Sequence, residues 1–322
     1  MTTGTPYGPP PPFDPEAAAV LEVLAARVPP AITGDMLPLL RNGSGAGLPS
    51  DDELCRDGLI ELADHRVSDD VSVVVGRPPN LRAPAPGIYY IHGGGMIMGT
   101  NRVGLDQALD WAVELGLVVV SVEYRLAPEH PHPAPVEDCF AGLLWTVEHA
   151  GELGIDPARL VVAGGSAGGG LSAAVTLMAR DRGRPLVAGQ LLMEPMLDDR
   201  NESPSTHQMR GLGVWDRTSN ETGWTALLGA ARGGPDVSPY AAPARAEDLS
   251  GLPPAYIDVG SAESFRDEDV EYARRIWLAG GSAELHVWPG GYHGFDMFAP
   301  HAVISQDAKA ARLRWLRRIH AE

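Results

Sequence analysis

Short apolar runs alternate with longer amphipathic segments along most of this chain. Eight of the runs have the length and composition of strands, and they lie near residues 59–62, 71–75, 88–91, 117–122, 160–163, 186–193, 256–259 and 284–288. Helical patterns separate the later runs, at residues 105–115, 136–149, 167–180, 267–278 and 303–319. Strands that alternate with helices predict an α/β protein with a mostly parallel sheet covered by helices on both faces.

Two regions depart from this alternation. Residues 1–55 begin with a Pro/Gly-rich stretch, continue with short helical patterns and end in a polar, Gly/Ser-rich segment. Residues 198–252 are polar and Gly-rich, yet they carry Trp215 and Trp224. We interpret the first region as an N-terminal arm with cap helices, and the second as a cap inserted into a main domain of residues 56–322. An ordinary surface excursion is the alternative for the insertion.

The first candidate for chemistry is Ser166, the central residue of the pentapeptide Gly164-Gly165-Ser166-Ala167-Gly168. The pentapeptide follows an apolar strand run and precedes a helical pattern rich in small residues. A serine on such a sharp strand-to-helix turn is typical of a nucleophile elbow, in which the backbone is strained and the hydroxyl points above the sheet. Gly/Ser-rich turns are common, so this interpretation depends on companion residues elsewhere in the chain.

A run of three glycines, Gly93, Gly94 and Gly95, is the first companion, and it directly follows a strand run and His92. Backbone that carries no Cβ turns its N–H groups toward a ligand with little steric cost. In an acyl-transfer enzyme these donors, with the N–H of Ala167 after the serine, would hold the oxyanion of the tetrahedral intermediate. A flexible glycine loop is the alternative interpretation.

His293 is the candidate general base among ten histidines. It lies on a glycine-flanked loop after the last predicted strand, and it comes last in the chain order serine, acid, histidine. His92 precedes the glycines and His286 lies within a strand. The others lie in a Pro-rich stretch or on predicted surfaces and ends: His65, His130, His132, His149, His207, His301 and His320. The Pro-spaced pair His130 and His132 has no carboxylate-rich helix pair beside it, so we predict no metal site.

The acid that orients the histidine is expected in the loop after the strand near 256–259. The candidates are Asp258, Glu263, Asp267 and Glu268. Asp258 lies inside the strand, while Asp267 and Glu268 suit the first turn of a helix, where the dipole favours carboxylates. Glu263 lies in the loop itself, so we predict that it supports the far nitrogen of the histidine, with Asp267 as the alternative.

The excess of acidic over basic residues indicates which binding partners are unfavourable. The 322 residues include 42 Asp and Glu against 25 Lys and Arg, a formal net charge of −17. This excess argues against nucleic acid or an anionic membrane as a partner. Cys55 and Cys139 fit no metal pattern and are predicted to be buried free thiols. The first residues have no basic region and no apolar core, and the apolar stretch 17–28 is too short to span a bilayer, so we expect a cytoplasmic protein.

From about residue 69 onward, the chain resembles the hormone-sensitive-lipase-like family of α/β-hydrolases, chiefly its bacterial esterases. The resemblance rests on the motifs His92-Gly93-Gly94-Gly95, Tyr124-Arg125-Leu126-Ala127-Pro128-Glu129-His130-Pro131, Val136-Glu137-Asp138-Cys139, Gly165-Ser166-Ala167-Gly168-Gly169, Ser238-Pro239-Tyr240, Leu252-Pro253-Pro254, Phe265-Arg266-Asp267-Glu268 and His293-Gly294-Phe295. It implies a capped, eight-stranded α/β-hydrolase fold. It also implies a cofactor-free hydrolase of carboxylic esters with short or medium acyl chains, and it raises the expectation of a homodimer through the sheet edge.

Carried over residue by residue, the resemblance implies that Ser166 is the nucleophile and His293 the general base. The acid falls on Glu263, where most relatives have Asp and a minority have Glu. The oxyanion donors fall among Gly93–Gly95, together with Ala167. These assignments agree with those made from the residues themselves.

Two positions depart from the family pattern. Gly165 stands where many relatives have Asp, so the hydrogen bonds of that Asp are missing, and Met96 stands where an aromatic residue is common. Other proteins of this fold include a dehydratase and hormone receptors that bind a small molecule without catalysis. The presence of both Ser166 and His293 favours the hydrolase over these alternatives.

Overall fold

Eight strands form one sheet in the computed structural model, which describes residues 7–26, 29, 31–43 and 48–321. The strands are β1 (Glu61–Arg66), β2 (Ser72–Arg77), β3 (Ala85–Ile91), β4 (Val118–Glu123), β5 (Ile155–Gly165), β6 (Gly189–Met193), β7 (Ala255–Gly260) and β8 (Ala283–Trp288). Their order across the sheet is β1-β2-β4-β3-β5-β6-β7-β8. Strand β2 is antiparallel to both of its neighbours, and all other neighbours are parallel. The predicted mostly parallel, eight-stranded sheet is confirmed. Parts of the predicted N-terminal arm lie outside the described residues.

All eight strands differ from their predicted bounds by at least one residue, and β1, β6 and β5 are among those that differ most. Strand β1 lies at the sheet edge with mostly exposed side chains, so its own residues give little apolar signal beyond Leu62. The signal came from Leu59 and Ile60, which lie in the turn before it. Leu186 was assigned to β6 but precedes that strand and is 83% exposed. Strand β5 begins earlier than predicted, at Ile155, where it pairs with β3.

Twelve α-helices lie within the described part of the chain. They are α1 (Pro15–Leu24), α2 (Leu37–Gly43), α3 (Asp51–Leu54), α4 (Leu105–Leu115), α5 (Ala134–Glu148), α6 (Ala150–Leu153), α7 (Ala167–Arg182), α8 (Pro204–Gln208), α9 (Arg217–Leu228), α10 (Arg266–Leu278), α11 (Phe295–Phe298) and α12 (Val303–Ile319). Four 3₁₀ turns accompany them, at Gly34–Met36, Arg56–Gly58, Gly229–Ala231 and Pro243–Arg245. Helices α4 and α12 have the predicted bounds, and α5, α7 and α10 differ from theirs by one or two residues at an end.

Both faces of the sheet are buried, as the alternation along β3 shows. Ile88 and Tyr90 join an apolar cluster with residues of α4 and α12, whereas Tyr89 and Ile91 join a second cluster with residues of α5 and α7. None of the four side chains is more than 4% exposed. Burying one such side chain contributes about 1.5–3 kcal/mol, so the strand is held firmly from both sides.

The predicted chemistry-bearing residues all follow parallel strands. The glycine run follows β3, Ser166 follows β5, Glu263 follows β7 and His293 follows β8. Because the carboxyl ends of parallel strands meet at one edge of a sheet, these residues converge there. Open α/β sheets bind their ligands at this edge.

Two further sequence expectations concern the thiols and the membrane. Cys55 and Cys139 are both free, as predicted, but Cys139 is buried as expected whereas Cys55 is partly exposed. Across the described ranges, no helix combines the length and the apolar character that crossing a bilayer requires.

Candidate active site

Ser166 lies at the turn between β5 and α7 in a backbone conformation that residues with a Cβ rarely adopt. Its φ is 58° and its ψ is −124°, a geometry that costs on the order of 1–3 kcal/mol. Gly168 permits the tight turn, since a Cβ there would overlap the carbonyl oxygen of Ile91. The N–H of Ser166 donates to Met193 O at 2.8 Å, and the N–H of Met196 donates to Ser166 O at 3.0 Å. The strained elbow that the pentapeptide predicts is therefore present.

His293 lies on the loop after β8 and faces the serine. Its Nε2 is 2.9 Å from Ser166 Oγ. The ring of Phe265 meets the imidazole edge-on with a centroid separation of 5.1 Å, and His293 is only 9% exposed. When Nε2 accepts the hydroxyl hydrogen, Nδ1 carries the ring hydrogen and needs an acceptor.

Glu263 supplies such an acceptor. Its Oε2 lies 3.3 Å from His293 Nδ1, and its Oε1 accepts the N–H of Phe265 at 3.1 Å. The side chain is 1% exposed. Hydrogen bonds of catalytic sites are often long before substrate binds, so 3.3 Å suits an orienting carboxylate.

The three other carboxylates considered from the sequence have different partners. They accept hydrogen bonds as follows: Asp267 from Ser205 N at 2.7 Å, Glu268 from Leu197 N at 2.7 Å, and Asp258 from Arg312 Nε at 2.8 Å. These contacts tie α10 and β7 to neighbouring chain segments. Of the four candidates, Glu263 is the one within hydrogen-bonding range of His293.

Glu194 is a second carboxyl at the imidazole that the sequence reasoning missed. Its Oε2 lies 3.4 Å from His293 Nδ1 and accepts the N–H of Gly294 at 2.6 Å. Burial, reinforced by nearby Glu263, raises the pKa of this carboxyl well above its usual range. A signal was available, because Glu194 directly follows the strand run 186–193, but an acid was expected only after the strand near 256–259.

The glycine loop, Gly93–Gly95, packs next to the turn that carries Ser166. A Cβ built on Gly93 would lie 3.3 Å from the Cβ of Ser166. Gly94 has a φ of 112°, and a Cβ there would overlap the carbonyl oxygen of Met98. His92 Nδ1 lies 2.8 Å from Gly93 O, and burial lowers the pKa of His92 to about 4, so this ring is neutral near pH 7.

Ala167 brings a further N–H to the same side of the serine. It is the first residue of α7, and the N–H groups of a first helical turn lack intrahelical partners. The positive end of the helix dipole lies at this point. Of the four predicted donors, Gly93 and Ala167 thus lie next to Ser166, and Gly94 and Gly95 continue the same loop.

The inserted segment reaches the candidate base through Trp215. The centroids of the Trp215 indole ring and the His293 imidazole ring are 6.4 Å apart. The N-terminal arm meets the insertion at Ile32, whose N–H donates to Ser219 Oγ at 2.9 Å. Thr222 Oγ1 in turn donates to Ile32 O at 2.8 Å. The arm and the insertion therefore pack together on the side of the site.

The same side chains include a cluster of the residue types that bind cations. Within the described ranges, one group of three metal-type residues has ligand atoms within 4.8 Å of one another, and it is Glu194, Glu263 and His293. Glu194 Oε2 already accepts the Gly294 N–H, and the imidazole nitrogens face Ser166 and the carboxyls. A bound cation would have to displace these hydrogen bonds. The donor set therefore fits a proton relay better than a metal.

Comparison with known proteins adds an independent line of support. The family described as alpha/beta hydrolase fold matches residues 88–297. Carboxylesterase NlhH of Mycobacterium tuberculosis is 40% identical over 259 residues, which cover 78% of this chain and 80% of that protein. Esterase LipI of the same organism is 36% identical over 261 residues, or 80% and 81% of the two chains. The solved structure of a bacterial heroin esterase superposes with a TM-score of 0.87 at 40% identity, covering 96% of this chain and 98% of that one.

Proposed function

Because this chain belongs to the α/β-hydrolase fold family, as the resemblance to hormone-sensitive-lipase-like esterases predicts, we propose that it hydrolyses carboxylic esters through an acyl-enzyme on Ser166. The protein is a carboxylesterase of the serine hydrolase type. One observation carries the mechanism: Ser166 Oγ lies 2.9 Å from His293 Nε2, and a carboxyl oxygen of Glu263 lies 3.3 Å from the other ring nitrogen. This is the relay that activates a serine hydroxyl.

Acylation begins when Ser166 Oγ attacks the ester carbonyl carbon. As the new C–O bond forms, the hydroxyl proton passes to His293 Nε2 and the carbonyl π pair moves onto oxygen. The resulting imidazolium is stabilised by Glu263 at Nδ1. The N–H groups of the glycine loop and of Ala167 hold the oxyanion, and one such donor is worth roughly 10²–10³ in kcat.

The tetrahedral intermediate then collapses and the acyl-enzyme is hydrolysed. The bond to the alcohol oxygen breaks, and this oxygen takes the proton from His293 Nε2. A water molecule next gives a proton to the same nitrogen as it attacks the acyl carbon. When the second intermediate collapses, the proton returns to Ser166 and the carboxylic acid leaves.

The net charge of the chain and the tryptophan near the base both bear on the substrate class. The net charge of −17 does not favour strongly anionic esters, and Trp215 lies close to the base. We propose short to medium acyl chains, with residues 198–252 and the arm within 1–55 acting as the cap that limits acyl length. Residues 56–322 then form the catalytic domain. A homodimer and a cytoplasmic location stay predictions from the sequence.

A dehydratase and a non-catalytic binder on the same fold are the rival functions. A fluorophosphonate separates an esterase from the non-catalytic binder, because it phosphonylates an activated serine with loss of fluoride, and turnover of an aryl acetate separates an esterase from the dehydratase. We expect labelling of the peptide that contains Ser166, with loss of aryl acetate turnover in proportion to labelling. Ser166→Ala should be neither labelled nor active. An unlabelled wild-type protein without turnover would instead support the binder.

A further inference from the structure

The turn after β6 contacts both the nucleophile and the base. Its backbone brackets Ser166, through the hydrogen bonds of Ser166 N to Met193 O (2.8 Å) and of Met196 N to Ser166 O (3.0 Å). One side chain of the turn contacts the loop that carries the base, since Glu194 Oε2 accepts the N–H of Gly294 at 2.6 Å. Gly294 directly follows His293 in the chain. This single turn therefore helps to set the position of the imidazole relative to the hydroxyl.

Glu194 holds an unfavourable backbone conformation to make these contacts. Its φ is 47°, although residues before a proline, here Pro195, prefer extended conformations. Such a conformation costs on the order of 1–3 kcal/mol and persists only where the surroundings impose it. The N–H of Glu194 is used as well, donating to Asp258 O at 2.7 Å. The structure thus maintains a strained glutamate with its carboxyl buried beside the base.

Two carboxyls compete for one N–H. Glu263 Oε2 and Glu194 Oε2 lie 3.3 Å and 3.4 Å from His293 Nδ1. Two ionised carboxylates so close together in a buried site repel each other strongly, so one of them retains a proton. Burial and Glu263 raise the pKa of Glu194 well above its usual range, which places the shared proton there.

Other charged groups also face Glu194. Asp296 raises its pKa further, whereas the buried guanidinium of Arg312 and the Gly294 N–H lower it. Arg312 is shared with the carboxylates of Asp258 and Asp296, which limits its effect on Glu194. Tyr292 and Asp269 lie within electrostatic reach as well. Removal of the Glu263 charge would therefore take away a major reason for Glu194 to keep its proton.

Resting on the proposed function, we propose that Glu194 is a positioning residue for His293 and a reserve acid. It fixes the His293 loop through the Gly294 N–H, and it takes over the support of Nδ1–H when Glu263 loses its charge. In the Glu263→Gln variant, the Glu194 proton passes to solvent. The resulting carboxylate then accepts Nδ1–H in place of Glu263.

A double-mutant cycle with aryl acetates tests this inference. Glu194→Gln keeps an oxygen for the Gly294 N–H, so we expect a loss of no more than about 10-fold in kcat/KM. Glu263→Gln should lose about 10- to 100-fold, well short of the ~10⁴-fold loss known for a triad acid made an amide. The double variant should lose about 10⁴-fold, more than the product of the two single losses. A double variant no slower than Glu263→Gln would overturn the inference.

The matched control is Glu268, a buried glutamate in the first turn of α10 whose pKa is also raised by burial. It accepts the N–H groups of Leu197 and Asp198, and Gln keeps an oxygen for them. Glu268→Gln should change activity by the same factor with and without Glu263→Gln. Thermal unfolding must show that each variant is folded.

The pH profile of Glu263→Gln gives a second readout that does not need the double variant. Because Glu194 must lose its proton before it can support the base, the acid limb of kcat/KM should move to higher pH than in the wild type. An unmoved limb would overturn the reserve role. If Ser166→Ala retained turnover, the proposed function itself would fail. If turnover depends on Ser166 but the cycle shows no coupling, only the inference about Glu194 fails.

Discussion

The indole ring of Trp215 lies against the α-carbon of Gly95, so closely that a Cβ built on Gly95 would overlap its Cη2 atom. The same loop is approached from α9, where a Cβ on Gly223 would lie 3.0 Å from Gly95 O. The inserted segment, residues 198–252, therefore packs directly against Gly95, the last glycine of the loop. We therefore expect an acyl group bound beside that loop to contact the tryptophan.

Trp215→Ala should widen the range of acyl chains. The tryptophan is only 5% exposed and lies near the base, so its removal opens space where an acyl chain would extend. Each methylene accommodated in an apolar pocket is worth about 1–3 kcal/mol, and the octanoate-to-acetate ratio of kcat/KM should rise at least ~10-fold. A series of p-nitrophenyl esters measures it. Trp277→Ala, at a position 47% exposed on α10, is the control and should leave the ratio unchanged.

Ser166→Ala should abolish turnover of aryl acetates while the fold is retained. In the proposed mechanism the hydroxyl is the group that becomes acylated, and residual catalysis by the rest of a triad site is small. Ser172→Ala, at a buried position inside helix α7, should keep near-normal kcat. Turnover of Ser166→Ala above roughly a thousandth of the wild-type rate would count against Ser166 as the nucleophile.

Gly94→Ala should depress kcat by roughly 10²–10³, the loss typical of a misplaced oxyanion donor. Its φ of 112° is unfavourable for alanine, and the added Cβ would overlap backbone at Met98, so the loop must shift. Gly151→Ala is the matched control, since a Cβ there has nothing within 4 Å. Steady-state kinetics at saturating substrate separates kcat from KM. A kcat loss much smaller than this in Gly94→Ala would show that the oxyanion donors do not depend on this loop.

Local motifs explain why so much of the site could be predicted from the sequence. The elbow around Ser166 and the glycine run each lie within a few consecutive residues. Its glycine-flanked loop, its place after the last strand and the chain order together separated His293 from nine other histidines. Glu263 was placed by the same logic, because it follows a strand. Acyl transfer explains why these residue types occur together, whereas a binding protein needs none of them.

The parts that sequence could not provide depend on contacts between distant segments. Glu194 ends an apolar run and looks like an ordinary strand terminus, and its role appears only when β6 and β8 place it beside His293. The buried ion pairs of Arg312 with Asp258 and Asp296 join residues 54 and 16 positions apart. The edge strand β1 has too few buried side chains to show a period. In each case the structural role depends on which distant residues lie nearby, and the local sequence does not show them.

Buried acids should make the fold less stable as pH rises. Asp269, in the first turn of α10, is fully buried, and neither of its carboxyl oxygens has a hydrogen-bond partner in the described part of the chain. Burial, followed by Glu268 and Glu263, raises its pKa well above the usual range. Between its unfolded and folded pKa the native state binds more protons than the unfolded state, so the free energy of unfolding falls as pH rises through that window.

Asp269→Asn removes this titration and should flatten the fall. The difference between wild type and variant should change by up to ~1.4 kcal/mol per pH unit above the unfolded pKa of an aspartate, in favour of the variant. Urea unfolding at several pH values between about 5 and 8 measures the two slopes, and the remaining buried acids cancel in the comparison. Parallel curves for the two proteins would show that Asp269 keeps its charge in the fold, and that another donor reaches it.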